Sequence, residues 1–190
     1  MYPSWMSEAS FYEWLERIDG ELAETARAEG CGCGGVLHQA TYPRKGRGGP
    51  QELGAGYDRR LSFCCARRDC RQRCTPPSVR FLGRRVYLGA VVVLVSAMLA
   101  GPTPRRVATL VDVLGVSRRT LERWRKWWRT TFAESVFWKA AAGRFARPPA
   151  RTHLPQSLLE RFEGDERERL VAALRFLGPI TTTGAGCAMA

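Results

Sequence analysis

Residues 105–128, with the sequence RRVATLVDVLGVSRRTLERWRKWW, contain the pattern that decides the fold of the central part of the chain. Apolar side chains recur there at intervals of three and four residues, which indicates two amphipathic helices that share one core. Gly115 stands where the chain must reverse between these helices, and Ser117 can cap the second one. The apolar residues expected in this core are Val107, Leu110, Val111, Leu114, Val116, Leu121 and Trp124. The stretch therefore predicts a helix, a tight turn and a second helix.

The second helix is strongly cationic, because residues 118–126 include four arginines and one lysine. A short cationic helix held by a tight turn is typical of helix-turn-helix proteins, whose second helix reads the DNA major groove with its N-terminal residues. The alternative is a solvated surface helix that is merely rich in arginine. The residues predicted to bind DNA are Arg105, Arg106, Ser117, Arg118, Arg119, Thr120, Arg123 and Lys126.

Charge is unevenly distributed along the chain. The 190 residues carry a net charge of +12. Residues 1–30 have a net charge of −5, residues 44–147 have +17, and residues 148–190 are balanced. A concentrated basic region is typical of proteins that bind a polyanion. We therefore expect double-stranded DNA to be the partner.

Cysteine usage indicates a metal site. The chain has seven cysteines, an odd number, and its acidic N-terminal region does not resemble a secretory signal. We therefore expect a cytoplasmic protein with metal-bound or free thiols rather than a disulfide framework. Two cysteine pairs, each at the base of a predicted hairpin, can supply four thiolates to a tetrahedral structural Zn²⁺. The predicted ligands are Cys31, Cys33, Cys65 and Cys70.

Several features of this cysteine-rich region stay open. Cys64, Cys74 or His38 could replace one of the four ligands, and the thiols could also be buried without a metal. Alternating apolar side chains predict short strands, and Pro76–Pro77 interrupt the last of them. The predicted strands cover residues 36–38, 59–65 and 71–81.

Residues 7–28 have the pattern of an amphipathic helix. Ser10 and Glu13 have the spacing of a capping box, and Gly30 is expected to end the helix. The apolar face is expected to dock on the rest of the protein while the acidic face stays solvated. The alternative is an acidic helix that binds a partner or shields the basic region.

The remaining helical segments follow from apolar runs and turn signals. Residues 86–101 carry no charge, but they fall short of the roughly 20 apolar residues that cross a membrane, so we expect a buried helix over residues 86–100. Further helices are predicted at 130–147, 154–162 and 166–177. Asp165 is expected to cap the last helix and Gly178–Pro179 to end it, before a disordered tail in which Cys187 is not a ligand.

Together, these motifs resemble the N-terminal region of insertion-sequence transposases. A Cys-Gly-Gly turn, a second cysteine pair, an apolar helix and a helix-turn-helix occur in that order over roughly residues 30–130. The resemblance implies a zinc ribbon followed by a DNA-binding module. It implies ribbon ligands at the four cysteines named above and a base- and phosphate-facing side at Arg118, Arg119, Thr120 and Arg123.

No catalytic group is expected in this chain, so we predict a binding protein and not an enzyme. The carboxylates after Arg147 cluster on short helices, and His153 stands in a linker. We expect a transposition-associated protein that acts with a separate transposase subunit or as a homodimer. The alternatives are a transcriptional regulator of its own locus, a small membrane-associated protein and a metal-dependent nuclease.

The expected fold class is α+β and mainly α, with a zinc ribbon, a trihelical helix-turn-helix unit and a C-terminal helical pair. The predicted segments are an N-terminal helix at 1–30, the ribbon at 31–83, the DNA-binding module at 84–147, the C-terminal helices at 148–180 and a tail at 181–190.

Overall fold

The computed structural model describes residues 3–44, 46–50, 53–82, 87–98 and 103–182. This part of the chain is α+β and mainly helical, as predicted. The helices are α1 (Ala9–Glu29), α2 (Gly89–Met98), α3 (Pro104–Leu114), α4 (Arg118–Trp127), α5 (Val136–Ala141), α6 (Gln156–Leu159) and α7 (Glu166–Phe176). The strands are β1 (Leu37–Gln39), β2 (Tyr42–Pro43), β3 (Arg59–Arg60), β4 (Phe63–Cys65) and β5 (Arg73–Cys74).

The chain divides into two compact units. The first contains Pro3–Leu88 together with the chain from Leu174 onward, and the second contains Gly89–Ala173. The first unit therefore holds α1 and all five strands, while the second holds α2 to α6. The five-segment division expected from the sequence stays a prediction.

Helix α1 buries the apolar face that the sequence predicts. Phe11, Leu15 and Ile18 are each at most 2% exposed. The expected capping box is wrong, because the helix begins at Ala9 and Ser10 already lies inside its first turn. Gly30 ends the helix as expected, with a φ of +74° that favours a residue without a Cβ.

A buried ionic network holds α1 to the segment that follows β5. Asp19 is fully buried, and its carboxylate accepts hydrogen bonds from the Ser78 hydroxyl (2.6 Å), the Val79 amide (2.7 Å) and the Arg80 guanidinium (2.8 Å). Arg80 also donates to the Gly56 carbonyl at 3.0 Å. The side of α1 that carries Asp19 can therefore be buried, because the Arg80 guanidinium balances the charge of the Asp19 carboxylate.

Strands β1, β4 and β5 form an antiparallel sheet in the order β1-β4-β5. Leu37 pairs with Cys65 and Phe63 pairs with Cys74, and all four of these side chains are buried. On the opposite face, His38, Cys64 and Arg73 form a row across the strands.

Two strand predictions were wrong in extent. The strand expected at 59–65 is divided, because Arg60 pairs with β2 whereas Phe63 pairs with β1 and β5. The strand expected at 71–81 ends at Cys74. Pro76 and Pro77 lack the amide donors that a longer ladder would need.

Helix α2 is ten residues long and is buried from Gly89 to Ser96. The predicted start of this helix at residue 86 was wrong, because Tyr87 and Leu88 form isolated β-bridges before α2 begins at Gly89. Residues 86, 99 and 100 of the predicted range lie outside the described residues. No helix in the part of the chain that the structure describes is both long enough and apolar enough to cross a membrane.

The predicted continuous helix at 130–147 is wrong. A π-helical turn at Trp128–Phe132 follows α4, and Ser135 then adopts an extended conformation and caps α5 by accepting from the Trp138 amide. Phe132 and Trp138 are buried, whereas Val136 is 85% exposed.

The C-terminal helices are shorter than predicted. Asp165 caps α7 as expected, because its carboxylate accepts from the Glu168 amide at 2.8 Å. The Glu168 carboxylate accepts in return from the Asp165 amide. Helix α7 ends at Phe176, just before Gly178 and Pro179 as expected, and a separate 3-10 turn at Gly178–Thr181 follows it. The predicted tail, apart from its first two residues, lies outside the described residues, as does Cys187.

Candidate metal centre and cationic helix

The fold brings together the four cysteines that the sequence predicts as ligands. Cys31 follows the end of α1 and Cys33 lies in the turn before β1, while Cys65 ends β4 and Cys70 lies in the turn between β4 and β5. The Sγ atoms of Cys31 and Cys70 are 3.7 Å apart, and those of Cys33 and Cys65 are 3.5 Å apart. All four sulfur atoms lie within 4.8 Å of one another.

These distances fit a shared metal ion better than disulfides. A tetrahedral centre with Zn–S bonds of about 2.3 Å places its sulfur atoms about 3.8 Å apart, whereas a disulfide places them about 2.0 Å apart. All four cysteines are free thiols. The cluster can therefore hold a metal ion with only small movements of the side chains.

The alternative ligands do not join this cluster. The Cys64 thiol lies on the other face of the sheet, with its sulfur 3.5 Å from the Arg71 carbonyl oxygen. His38 is exposed on that same face. Among the described residues, the cluster consists of the four predicted cysteines, and Cys74 lies outside it.

Backbone amides stabilise the thiolate form at three of the four positions. The amide two residues after the cysteine donates to its sulfur, from Gly35 to Cys33, from Arg67 to Cys65 and from Gln72 to Cys70. Such hydrogen bonds favour the charged form of a thiol and orient it toward a metal. Each cysteine pair lies at a tight turn because the turn brings these amides within hydrogen-bond distance of the sulfur atoms.

The pKa values of two thiols differ for physical reasons. The amide of Gly35, together with the neighbouring Cys65 thiol, lowers the pKa of Cys33 to about 7. Burial raises the pKa of Cys65 to about 12, because a thiolate there loses its hydration. A bound cation would supply the positive charge that the buried thiolate needs.

Gly35 lies in the tightest position of the site. A Cβ atom at residue 35 would be 2.6 Å from the Cys65 sulfur and 3.0 Å from the Arg67 side chain. Arg67 donates to the Cys33 carbonyl at 3.1 Å and forms two hydrogen bonds with Asp69. Only glycine therefore lets the first turn approach the end of β4 so closely.

Helix α4 presents its cations to solvent and its apolar side to the core. Arg118, Arg119 and Arg123 are exposed, as is Lys126. The side chains of Leu121, Trp124 and Trp128 are at most 2% exposed, as predicted. Arg105 and Ser117 are also exposed, whereas the Arg106 side chain lies outside the described residues.

One predicted DNA-binding residue points away from solvent. Thr120 is only 6% exposed, because it shares the inward side of α4 with the neighbouring Leu121. The expectation that Thr120 lies on the outer face is therefore wrong. Its hydroxyl instead connects Ser117, 3.1 Å away, to Arg123, whose guanidinium donates to it at 3.1 Å.

The start of α4 is set by local hydrogen bonds. Ser117 is its N-cap, and the serine hydroxyl accepts from the Thr120 amide at 3.3 Å. Gly115 precedes the cap with a φ of +60°, which permits the reversal after α3. On the exposed side, Arg118 forms an ion pair with Glu122 at 3.0 Å.

No family model, curated protein or solved structure matches this chain. The candidate functions therefore depend on the residues and their geometry.

Sequence reasoning missed the parts of the site that carry no motif. The Arg67–Asp69 pair beside the cysteines lies within a cationic run, where Asp69 is the one acidic residue between Asp58 and Asp112. The isolated position of Asp69 was the one sequence feature that could have indicated this ion pair. The Asp19–Arg80 pair had no signal of this kind, because 60 residues separate its two members.

Proposed function

We propose that this protein binds double-stranded DNA, with α3 and α4 acting as a helix-turn-helix and α4 entering the major groove. The observation that carries the proposal is the position of Arg118, Arg119 and Arg123 on the exposed N-terminal half of a capped helix. Helix-turn-helix proteins use this half of their second helix to contact base edges. Lys126 and Arg105 would contact phosphates on either side.

The basic region supports this proposal through its charge. The net charge of +17 over residues 44–147 would release counterions from the phosphates on binding, so affinity would fall steeply as salt concentration rises. The same electrostatic term would hold the protein on non-specific DNA while α4 provides the sequence preference. The activity proposed is therefore binding and not turnover.

Affinity for DNA can be measured by fluorescence anisotropy on a duplex selected from a random library. The double variant Arg118→Gln/Arg119→Gln should lose about 1–3 kcal/mol per residue if both arginines contact guanine. A matched control, Arg17→Gln/Arg27→Gln, makes the same charge change on the exposed face of α1. Equal affinity in the two double variants would refute the assignment of α4 as the reading helix.

We propose that the four-cysteine cluster holds a structural Zn²⁺ and that the three-stranded sheet is a zinc ribbon. Four thiolates form a closed coordination shell, which is the chemistry of structural and not catalytic zinc. Cys31, Cys33, Cys65 and Cys70 would hold the ion, and three backbone amides would orient the sulfur atoms. Elemental analysis should find one zinc per chain, and a folded preparation that lacks zinc although all four cluster cysteines are reduced would contradict the proposal.

The biological role that we propose is a transposition-associated protein of the cytoplasm. It would act as a homodimer or with a separate transposase subunit. The support is the order of the motifs, in which a cysteine cluster precedes an apolar helix and a helix-turn-helix. Genome-wide mapping of bound DNA tests this role, because binding at terminal inverted repeats supports it and binding confined to a promoter does not.

A further inference from the structure

A cleft in the second unit is not used by the proposed DNA-reading helix. It is formed by residues 147–161 and has a volume of about 360 Å³. Polar side chains on its walls are Arg147, His153, Gln156, Ser157, Glu160 and Arg161. Its size is at the lower end of the range for small-molecule sites, so it fits a small polar group.

Local contacts hold the cleft open. The Ser157 hydroxyl donates to the Ala150 carbonyl at 2.8 Å, which closes the segment on itself. The rings of Phe145 and Phe162 contact each other edge to face, with their centroids 6.0 Å apart, just outside the two ends of the segment. The cleft is therefore a property of one folded segment and needs no other part of the chain to complete its walls.

The charge of the cleft is positive, and the part of the chain that the structure describes does not pair its two arginines with carboxylates. Within the described residues, neither Arg147 nor Arg161 forms an ion pair. Arg161 is held by a hydrogen bond from its Nε to the Ser157 carbonyl at 3.3 Å, which leaves the terminal nitrogens of its guanidinium available. Glu160 is the one carboxylate on the walls, and it accepts from the Gln156 amide at 3.1 Å.

We propose that this cleft binds a phosphate group between the two guanidinium groups. Guanidinium forks bind phosphate oxygens through paired, charge-assisted hydrogen bonds. The imidazole of His153 also lines the cleft, and its Nδ1 is 3.0 Å from the Thr152 hydroxyl, so Nε2 is the ring nitrogen that remains to contact a ligand. The carboxylate of Glu160 opposes the binding of any anion in the cleft and so limits its affinity for phosphate.

The proposal is independent of DNA reading by α4. The phosphate comes either from a small phosphate ester or from the backbone of bound DNA, and both present the same oxygen atoms. Inorganic phosphate is the probe, because it tests the site without the rest of either ligand.

The two histidines of the chain provide the readout. His153 lines the cleft, whereas His38 lies on β1 in the other unit. Inorganic phosphate, titrated into the full-length protein at constant ionic strength and pH, should shift the imidazole NMR signals of His153 and leave those of His38 unchanged. Equal shifts at both histidines would overturn the proposal.

Paired variants separate the site from general charge effects. Arg147→Gln and Arg161→Gln should each weaken phosphate binding about tenfold, whereas Arg144→Gln, an exposed residue outside the cleft, should not. Glu160→Gln should tighten binding several-fold, and Glu163→Gln should have no effect. Because Arg161 also holds the backbone of the segment, the exposed Arg147 provides the decisive variant. Phosphate binding that survives Arg147→Gln unchanged overturns the proposal.

A duplex DNA titration then identifies the source of the phosphate. If the cleft holds a backbone phosphate, Arg147→Gln lowers duplex affinity and reduces the salt slope by about one unit. If it holds a small phosphate ester, the same variant loses phosphate binding and keeps its duplex affinity. Both outcomes are measured on Arg147→Gln, so they remain valid even if Arg118→Gln/Arg119→Gln does not change DNA binding.

Discussion

Replacing Asp19 by alanine should strongly destabilise the first unit. The Asp19 side chain is fully buried and accepts three hydrogen bonds, from Ser78, Val79 and Arg80, at 2.6–2.8 Å. Alanine removes all three acceptor contacts and leaves the guanidinium of Arg80, only 2% exposed, without its nearest carboxylate.

The magnitude follows from what remains around Arg80. Removing one member of a buried ion pair costs about 3–5 kcal/mol. The Glu16 carboxylate still forms an ion pair with the guanidinium at 3.6 Å, and the carbonyls of Gly56 and Arg59 still accept hydrogen bonds from it. We therefore expect a loss near the lower limit, about 3 kcal/mol. This is a large part of the total stability of about 5–15 kcal/mol that is usual for a domain.

Urea unfolding measures the loss of stability. Hydrogen exchange of the α1 amides then tests whether the loss lies in the first unit. Glu24→Ala on the same helix is the matched control, because Glu24 is 74% exposed and its partner Arg27 lies 3.9 Å away. The double variant Asp19→Leu/Arg80→Met should recover part of the stability, since it leaves no buried charge unpaired. If Asp19→Ala costs no more than Glu24→Ala, the buried pair does not hold α1 in place.

Three further outcomes are expected. Gly35→Ala should lower metal affinity at least tenfold in a chelator competition assay, because the new Cβ would be 2.6 Å from the Cys65 sulfur; Gly32→Ala, where a Cβ meets nothing within 4 Å, should not. Ser117→Ala should destabilise the second unit by about 1 kcal/mol in thermal unfolding, through loss of the N-cap. In metal-free protein, the lowered pKa of Cys33 means that its alkylation rate should rise as the pH increases through about 7 and then level off. Mass spectrometry can follow that rate, and Cys65, with its pKa raised to about 12, should stay unreactive there.

Local sequence signals predicted the starts of α4 and α7 well, because a capping residue precedes an apolar period in both. Ser117, Gly115 and the inward side of α4 lie where the sequence placed them, and Asp165 caps α7. The long helix predicted after α4 was wrong, because Ser135 competes for the backbone and starts a new helix. No periodicity signal reports such a competition.

Long-range pairing was harder to predict than local structure. The sequence indicated which cysteines could form a cluster, since both pairs stand beside turn residues, and the structure brings those four thiols together. It did not indicate that β3 and β4 pair with different partners, or that Asp19 would be buried beside Arg80. Those features depend on contacts between residues far apart in the chain. Thr120 was misplaced because its outward position was taken from the resemblance, whereas the helix places it on the buried side next to Leu121.

The long segment between the two cysteine pairs determines where the chain can accept insertions and deletions. Thirty-one residues lie between Cys33 and Cys65, yet only the spacings within each pair are set by the turns that orient the thiols. The cost of closing such a loop grows slowly, by about 0.6 kcal/mol for each doubling of its length. Insertions and deletions between Tyr42 and Tyr57 should therefore accumulate during evolution at little cost to the cluster. Relatives of this protein would then be recognised by their two short cysteine motifs, with a variable distance between them.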